Sequence, residues 1–447
     1  MSSRAKRRVL IVAHNFPPLG SGGVHRPVKF ARYLRELGWE VEVLSVKNIR
    51  YHAYDPSLAE ELAGVRVHRA GSLEPMRLVW LSGWRPPPPL PPVNNFADLE
   101  EVAARNGAKA VPAAARVYTS VARHIFQPDD QIFWVPFAVA RAARLVEEKP
   151  YDVVLTTSPP ESCHLVGLAL KKIAGARWVA DFRDAWSTHH LKRGLAFYNK
   201  YVNKILEKWV LRAGDGVVAN TEELARRLGA VGGVRLRVLT LRNGFDPADW
   251  GEPLVKATSE DYVIVHNGSF RGGRRARPLL QGFAEARERD EDFAARAKLY
   301  LLGINRADDL RAAEDLALGD VVYHVGYLRH ADAVRACQGA DLLALAMAAE
   351  EGPALVPGKL YEYLGVGRPV LAAVPPGEAR RVLAGATRGA VVVPPEEPRA
   401  IARGYLEAFA AWRRRAVGYE TNPAAVSTYT RRAQIEKLSR FLEAVII

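Results

Sequence analysis

Short apolar runs alternate with amphipathic stretches along nearly the whole chain, and this alternation is what most restricts its fold. Val9-Leu10-Ile11-Val12-Ala13 is a continuous apolar run, the pattern of a strand buried on both faces of a parallel sheet. From Val24 to Leu37 the spacing changes, with Val28, Ala31, Leu34 and Leu37 recurring on one helical face. The same reading predicts strands over 8–13, 40–46, 65–69, 152–156, 177–181, 215–219 and 235–240. Helices are predicted over 24–37, 131–148, 161–174, 195–213 and 221–229. Strands that alternate with helices imply βαβ units on a parallel sheet.

After the turn-rich stretch "LRNGFDPADW" (241–250) the rhythm begins again. Strands are predicted over 262–266, 298–302, 320–323, 341–345, 369–373 and 390–393. A chain of 447 residues is also too long for one ordinary core. The fold class is therefore α/β, with two Rossmann-like doubly wound domains facing across a cleft. The first domain takes residues 1–250, and the second takes 251–424. A terminal helix within 425–447 returns to the first domain, with Ile435, Leu438, Phe441, Leu442 and Val445 on one face.

Composition narrows the function classes. At 49% hydrophobic and 25% charged residues the chain is that of a globular protein. No run approaches the roughly 20 apolar residues of a spanning helix. Cys163 and Cys337 are far apart and lack metal-ligand spacing, so a cytoplasmic protein without a metal centre is expected. The formal charge of +14 calls for an anionic partner: a phosphorylated substrate or an anionic membrane surface. Its arginines are scattered over many helices, as at Arg226-Arg227 and Arg413-Arg414-Arg415, and no nucleic-acid-binding signature accompanies them. Nucleic acid is not expected as a partner. The proline-rich "RPPPPLPPVNNF" (85–96) reads as an exposed loop.

Candidate binding residues collect at predicted strand ends. "HNFPPLGSGGVHRP" (14–27) lies between the first strand and the first helix, where glycines admit a ligand to the backbone and a helix N-terminus favours anions. "NGSFRGGRRARPLL" (267–280) occupies the equivalent place in the second half and offers Arg271, Arg274 and Arg275. Asp181-Phe182-Arg183-Asp184 is a polar cluster at another strand end. Asp181 or Asp184 could orient a hydroxyl and Arg183 could hold an anion, or Arg183 and Asp184 form a structural ion pair. Helix 195–213 puts Lys200, Lys204, Lys208 and Arg212 on one side. Tyr198, Tyr201, Ile205 and Trp209 form a second stripe, expected to pack on the sheet.

Three stretches together resemble the GT-B glycosyltransferases of family 4, retaining enzymes that use nucleotide sugars. "FPPLGSGGVHRPVKFARYLRELGWEVEVLS" (16–45) looks like the family's N-terminal glycine loop. "RWVADFRDAW" (177–186) is similar to a D-x-R-D-x-W loop of a bacterial branch acting on surface polysaccharides. "VPGKLYEYLGVGRPVLA" (356–372) is similar to that branch's glutamate-bearing helix beside the nucleotide. The resemblance implies metal-independent transfer of a sugar from a nucleotide-diphosphate donor, with no cofactor. The acceptor it implies is a glycan or a lipid-linked molecule, met in the cytoplasm or at the inner face of the membrane. It makes Glu362 a ligand of the ribose hydroxyls. Lys359, one turn earlier, reaches a phosphate or pairs with Glu362. Gly22 and Gly23 become the backbone surface against which the diphosphate and reacting sugar pack, with Arg271, Arg274 and Arg275 as the diphosphate's cations. Asp181, Arg183 and Asp184 become the acceptor-side catalytic candidates. Two departures stand out: Ala354 replaces a glutamate usual eight residues before Glu362, and Ser269 replaces a usual arginine. These departures leave room for a retired transferase that only binds a nucleotide sugar or a partner. The rival enzyme on this fold is a nucleotide-sugar 2-epimerase.

Overall fold

The computed structural model describes residues 6–20, 23–47, 55–75, 93–106, 121–122, 124–189, 192, 194–233, 236–270, 273–416 and 418–447. It divides into two units. One comprises Met1–Pro88, Val111–Asn243 and Arg431–Ile447, and the other comprises Pro89–Ala110 and Gly244–Thr430.

In the first unit the strands are β1 (Arg8–Val12), β2 (Glu40–Val46), β3 (Arg66–Ala70), β4 (Val153–Ser158), β5 (Trp178–Phe182), β6 (Gly216–Ala219) and β7 (Arg237–Thr240). They form one parallel sheet in the order β3-β2-β1-β4-β5-β6-β7. Period-two alternation explains why β1 is apolar from Val9 onward: Val9 and Ile11 enter one core while Leu10 and Val12 enter the core on the opposite face. Helix α1 (His25–Glu36) covers the first face together with the terminal helix, whose Ile435, Leu438, Leu442 and Val445 are all buried there. The other face is covered by α3 (Val135–Glu148), α4 (Ser162–Ala174) and α5 (Phe197–Ala213). Helix α6 (Glu222–Gly232), capped by Thr221, follows β6.

The second unit repeats the plan with β8 (Tyr262–Asn267), β9 (Ala297–Leu302), β10 (Val322–Gly326), β11 (Leu342–Ala346), β12 (Val370–Ala373) and β13 (Val391–Val393). Their order is β10-β9-β8-β11-β12-β13, again all parallel. In both sheets the first strand lies between the strands on which the winding reverses, and the crevice outside that reversal is where α/β sheets bind ligands. Helices α7 (Arg277–Arg289), α8 (His330–Gly339), α9 (Gly358–Val366) and α10 (Pro398–Arg413) flank this sheet. The terminal helix is α11 (Arg431–Ile446).

Two features differ from the sequence expectation. Helix α2 (Phe96–Asn106) lies in a segment the alternation assigned to the first domain, yet it belongs to the second unit. Its Phe96, Leu99 and Val102 enter the core that holds Tyr300 and Val325, and Glu100 accepts hydrogen bonds from Tyr300 at 2.6 Å and Lys298 at 3.1 Å. The second difference is the orientation of α5. Tyr198, Tyr201 and Trp209 were expected to pack inward, but they are exposed, and Asn199, Asn203 and Glu207 are buried instead. Hydrogen bonding decides this. Asn199 donates to the His124 carbonyl at 2.6 Å, Trp186 donates to Asn203 at 2.7 Å, and Ser187 donates to Glu207. Of the stretch 85–96 expected as an exposed loop, 85–92 lies outside the described residues, while Val93 and Phe96 are buried, Phe96 opening α2. Among the described residues no helix is long and apolar enough to cross a membrane.

Candidate functional site

In the second unit the C-terminal end of β8 and the N-terminal half of α9 bring polar groups together. Strand β8 delivers His266 and Asn267. The buried His266 ring donates from Nδ1 to the Ala344 carbonyl at 2.9 Å, so its Nε2 carries a lone pair. Lys359, in the first turn of α9, donates to that lone pair at 3.3 Å. Gly268 (φ +136°) leaves the space this contact needs, because a Cβ there would lie 2.3 Å from Lys359 Nζ. Burial and the nearby Arg274 charge push the Lys359 ammonium down to about 7. Burial and Lys359 in turn hold His266 well below its ordinary range.

Glu362, one turn further along α9, is half-buried. Its carboxylate is 3.5 Å from Asn267 Nδ2 and 3.9 Å from His330 Nε2, so its acceptor capacity is only lightly used. Lys359 and Glu362 form no ion pair among the described residues. Tyr363 fixes the helix against the sheet, its hydroxyl accepting from the Asn267 N–H at 2.8 Å.

Arg274 is held by Glu351, which accepts from its Nε at 2.7 Å. Glu351 is itself buried, and its second oxygen accepts from the Ala348 N–H at 3.1 Å. It thus anchors Arg274, while the adjacent Glu350 is exposed. Arg275 is exposed and donates to the Arg274 carbonyl at 3.0 Å. Ser269 accepts from the Ile304 N–H at 2.9 Å, a loop-closing role no arginine can fill. Arg271 lies outside the described residues, as does Gly22.

In the first unit the strand-end cluster is built around two arginines. Arg183 is buried and donates from Nε to the Ser158 carbonyl at 2.5 Å, from Nη1 to Gly23 at 2.5 Å and from Nη2 to Pro159 at 2.7 Å. It ties the glycine loop to the turn after β4, and among the described residues it makes no close ion pair with Asp184, whose charge acts on it from farther off. Arg26, which sequence reading passed over, grips the fully buried Asp181. Thr157 donates to the same carboxylate at 2.7 Å. Arg26 also donates to the Leu241 carbonyl at 3.0 Å. Asp184 differs from both: it is half-buried and accepts no hydrogen bond among the described residues.

Histidines at this end are structural in their contacts. His14 meets Glu74 at 2.8 Å and packs edge-on to Trp134. His164 Nδ1 shares a hydrogen bond with the Thr156 hydroxyl at 2.8 Å, and the ring stacks on Phe182 at 4.4 Å and is pushed down to about 4 by burial. Of the groups given no role in the sequence, Arg26 lies inside the glycine-rich stretch 14–27 already singled out, whereas Glu351 was, with Glu350, a candidate to reach the site from the loop before 356–372. His266 had a signal too, as a polar residue ending a buried strand.

Two parallel Rossmann-like sheets with a terminal helix returning to the first define the GT-B fold. Three solved structures are similar along almost their whole length. The glycosyltransferase from Rickettsia africae aligns with a TM-score of 0.60 at 14% identity, covering 99% of each chain. Sucrose-phosphate synthase from Thermosynechococcus elongatus gives 0.58 at 14% identity over 99% of this chain and 96% of that one. Trehalose 6-phosphate synthase from Burkholderia multivorans gives 0.61 at 10% identity over 98% and 97%. No protein of curated function matches the sequence. The family models are more specific: residues 21–244 match the glycosyl transferase 4-like domain and residues 261–410 match the glycosyl transferases group 1 domain. The chain belongs to the glycosyltransferase 4-like family.

Proposed function

We propose that this chain is a retaining, metal-independent glycosyltransferase that moves a sugar from a nucleotide-diphosphate donor to a surface glycan or lipid-linked acceptor. The observation that carries the reading is Glu362, a lightly engaged carboxylate one turn after Lys359 at the end of β8. A carboxylate in that state accepts both hydroxyls of a ribose, and such charge-assisted bonds contribute about 1.5–3 kcal/mol each. Lys359 and Arg274 supply positive charge for a diphosphate. That charge matters most when the anomeric bond breaks and the diphosphate leaves with the electron pair. The rigid Arg274–Glu351 pair keeps the guanidinium preoriented, which suits a fork that binds phosphate oxygens.

On the acceptor side, Asp184 is the group free to receive a hydroxyl. Asp181 and Arg183 act on it indirectly, by fixing the strand end and the glycine loop. Ala354 leaves no glutamate at the position where many relatives contact the donor sugar, and Glu350 is the exposed carboxylate nearest in sequence. Incubation with a panel of nucleotide sugars tests the reading. Slow release of free sugar with the same anomeric configuration supports it. Exchange at C2 points to an epimerase, and tight binding without turnover, even with membrane extract as acceptor, points to a retired transferase.

A further inference from the structure

Helix α5 has its chemistry inside out. The side chains it buries include Asn199, Asn203 and Glu207, whereas Phe197 is 83% exposed, Tyr198 69%, Tyr201 56% and Trp209 56%. Phe197 and Tyr201 lie nearly parallel, ring centroids 6.2 Å apart, as a flat apolar pair on the surface. Monomeric proteins seldom expose so much contiguous aromatic surface without a partner. The chain alongside contributes further apolar surface at Ile125, 62% exposed, next to the His124 carbonyl that receives Asn199.

Charge identifies the partner. Lys200, Lys204, Lys208 and Arg212 stand among these aromatics, all exposed, and none forms an ion pair among the described residues. The one acid of the helix, Glu207, is turned inward onto Ser187. An outward face with four cations, four aromatics and no acid matches an anionic lipid surface, where aromatic rings settle at headgroup depth and each lysine strengthens binding about fivefold. The inner face of α5 meanwhile holds the loop after β5: Asn203 accepts from Trp186 at 2.7 Å and from Lys192 at 3.1 Å. Asp184 is the second residue of that loop. One helix therefore carries a basic aromatic face outward and the acceptor-side loop inward.

We propose that the outer face of α5 docks this protein on an anionic bilayer and so presents the loop after β5 to an acceptor embedded in lipid; the second half of this inference rests on the transferase reading above. The test is flotation with vesicles of phosphatidylglycerol and phosphatidylcholine in equal parts, against pure phosphatidylcholine, at low and high salt. The wild-type chain is expected to float with the anionic vesicles alone, and less as salt screens the field. Lys200→Glu/Lys204→Glu/Lys208→Glu should lower the bound fraction more than tenfold. Phe197→Ser/Tyr201→Ser/Trp209→Ser should remove the binding that survives high salt. All six side chains are exposed, so thermal melting should be unchanged in both variants. The proposal is overturned if the wild type ignores anionic vesicles at low salt, or if the glutamate variant floats equally well. It is also overturned if the aromatic face proves to join two copies, seen as a dimer that the serine variant splits while neither form floats. Nucleotide binding by calorimetry separates the two readings. Docking without nucleotide affinity defeats the transferase assignment alone, and nucleotide affinity without docking defeats this proposal alone.

Discussion

Arg26 and Asp181 form a bidentate pair, Nε to Oδ2 at 3.0 Å and Nη2 to Oδ1 at 2.7 Å, with both side chains out of contact with solvent. Removing one partner of such a pair strands a buried charge, which costs about 3–5 kcal/mol. Asp181→Ala and Arg26→Leu should each lower the unfolding free energy by that amount in urea denaturation. Asp184→Ala should cost less stability than either while reducing donor turnover, because its carboxylate accepts no hydrogen bond among the described residues and supports the buried Arg183 only through its charge. A stable Asp181→Ala protein that has lost only turnover would return Asp181 to the list of groups that touch substrate.

The contrast between these two aspartates shows where sequence reading reaches its limit. Every strand of both sheets was legible, since runs such as Val9–Val12 and Val263–Val265 must be buried on two faces and so stay apolar throughout. Gly23 and Arg183 were legible as residues at strand ends, and Glu362 as a residue of the helix that opens after Pro357. Their partners were not. Asp181 and Asp184 are three residues apart in one motif, and only the position of Arg26, far away in the chain, distinguishes a buried anchor from an available carboxylate. Helix α5 was misjudged for a related reason. Apolar periodicity locates a helix, but the side it buries depends on what its neighbours offer, and here they offered Trp186, Ser187 and the His124 carbonyl to polar side chains. Helix α2 was not predicted: the prolines just before it made Phe96 read as the end of an exposed loop, and nothing local told that it would enter the second core.

Lys359 gives a pH signature. Its ammonium, ordinarily near 10.5, is pushed down to about 7 by burial and Arg274. A bound diphosphate supplies negative charge and favours the protonated form. Below pH 7 the lysine is already charged, and binding takes up little proton. Above pH 7 it must regain one, so uptake should approach one proton per nucleoside diphosphate, and affinity should fall up to about tenfold per pH unit. Calorimetry in buffers of different ionisation enthalpy measures the uptake directly. Lys359→Met should abolish it, whereas an uptake that survives this substitution assigns the proton to another group.

His164 should make the fold acid-sensitive. Its folded value is about 4, against 6.5 for the unfolded chain, because burial between Thr156 and Phe182 disfavours the charged ring. The folded state therefore binds fewer protons between these limits. The associated stability is present above pH 6.5 and is lost as pH falls towards 4, amounting to roughly 3 kcal/mol. His164→Gln should flatten that part of the stability profile, whatever it does to stability at neutral pH. An unchanged slope between pH 6.5 and 4 would mean that other groups dominate the acid transition.

The last expectation separates the two halves of a donor molecule. Glu362 is assigned to the ribose and Arg274 to the diphosphate, so their loss should register on different ligands. Glu362→Ala should weaken a nucleoside and its diphosphate alike, by about tenfold or more, as each lost charge-assisted bond costs about 1.5–3 kcal/mol. Arg274→Ala should spare the nucleoside and weaken only the diphosphate. Glu351→Gln supplies the sharper comparison, because it keeps the guanidinium but loosens the buried anchor that accepts from Nε at 2.7 Å. A preoriented fork should then become a mobile one, and diphosphate affinity should fall part of the way towards that of Arg274→Ala, with nucleoside affinity untouched. Titrations of both ligands against the three variants measure all of these differences. Equal losses for nucleoside and diphosphate in the Arg274 variant would show that this arginine reads no phosphate and serves the loop alone.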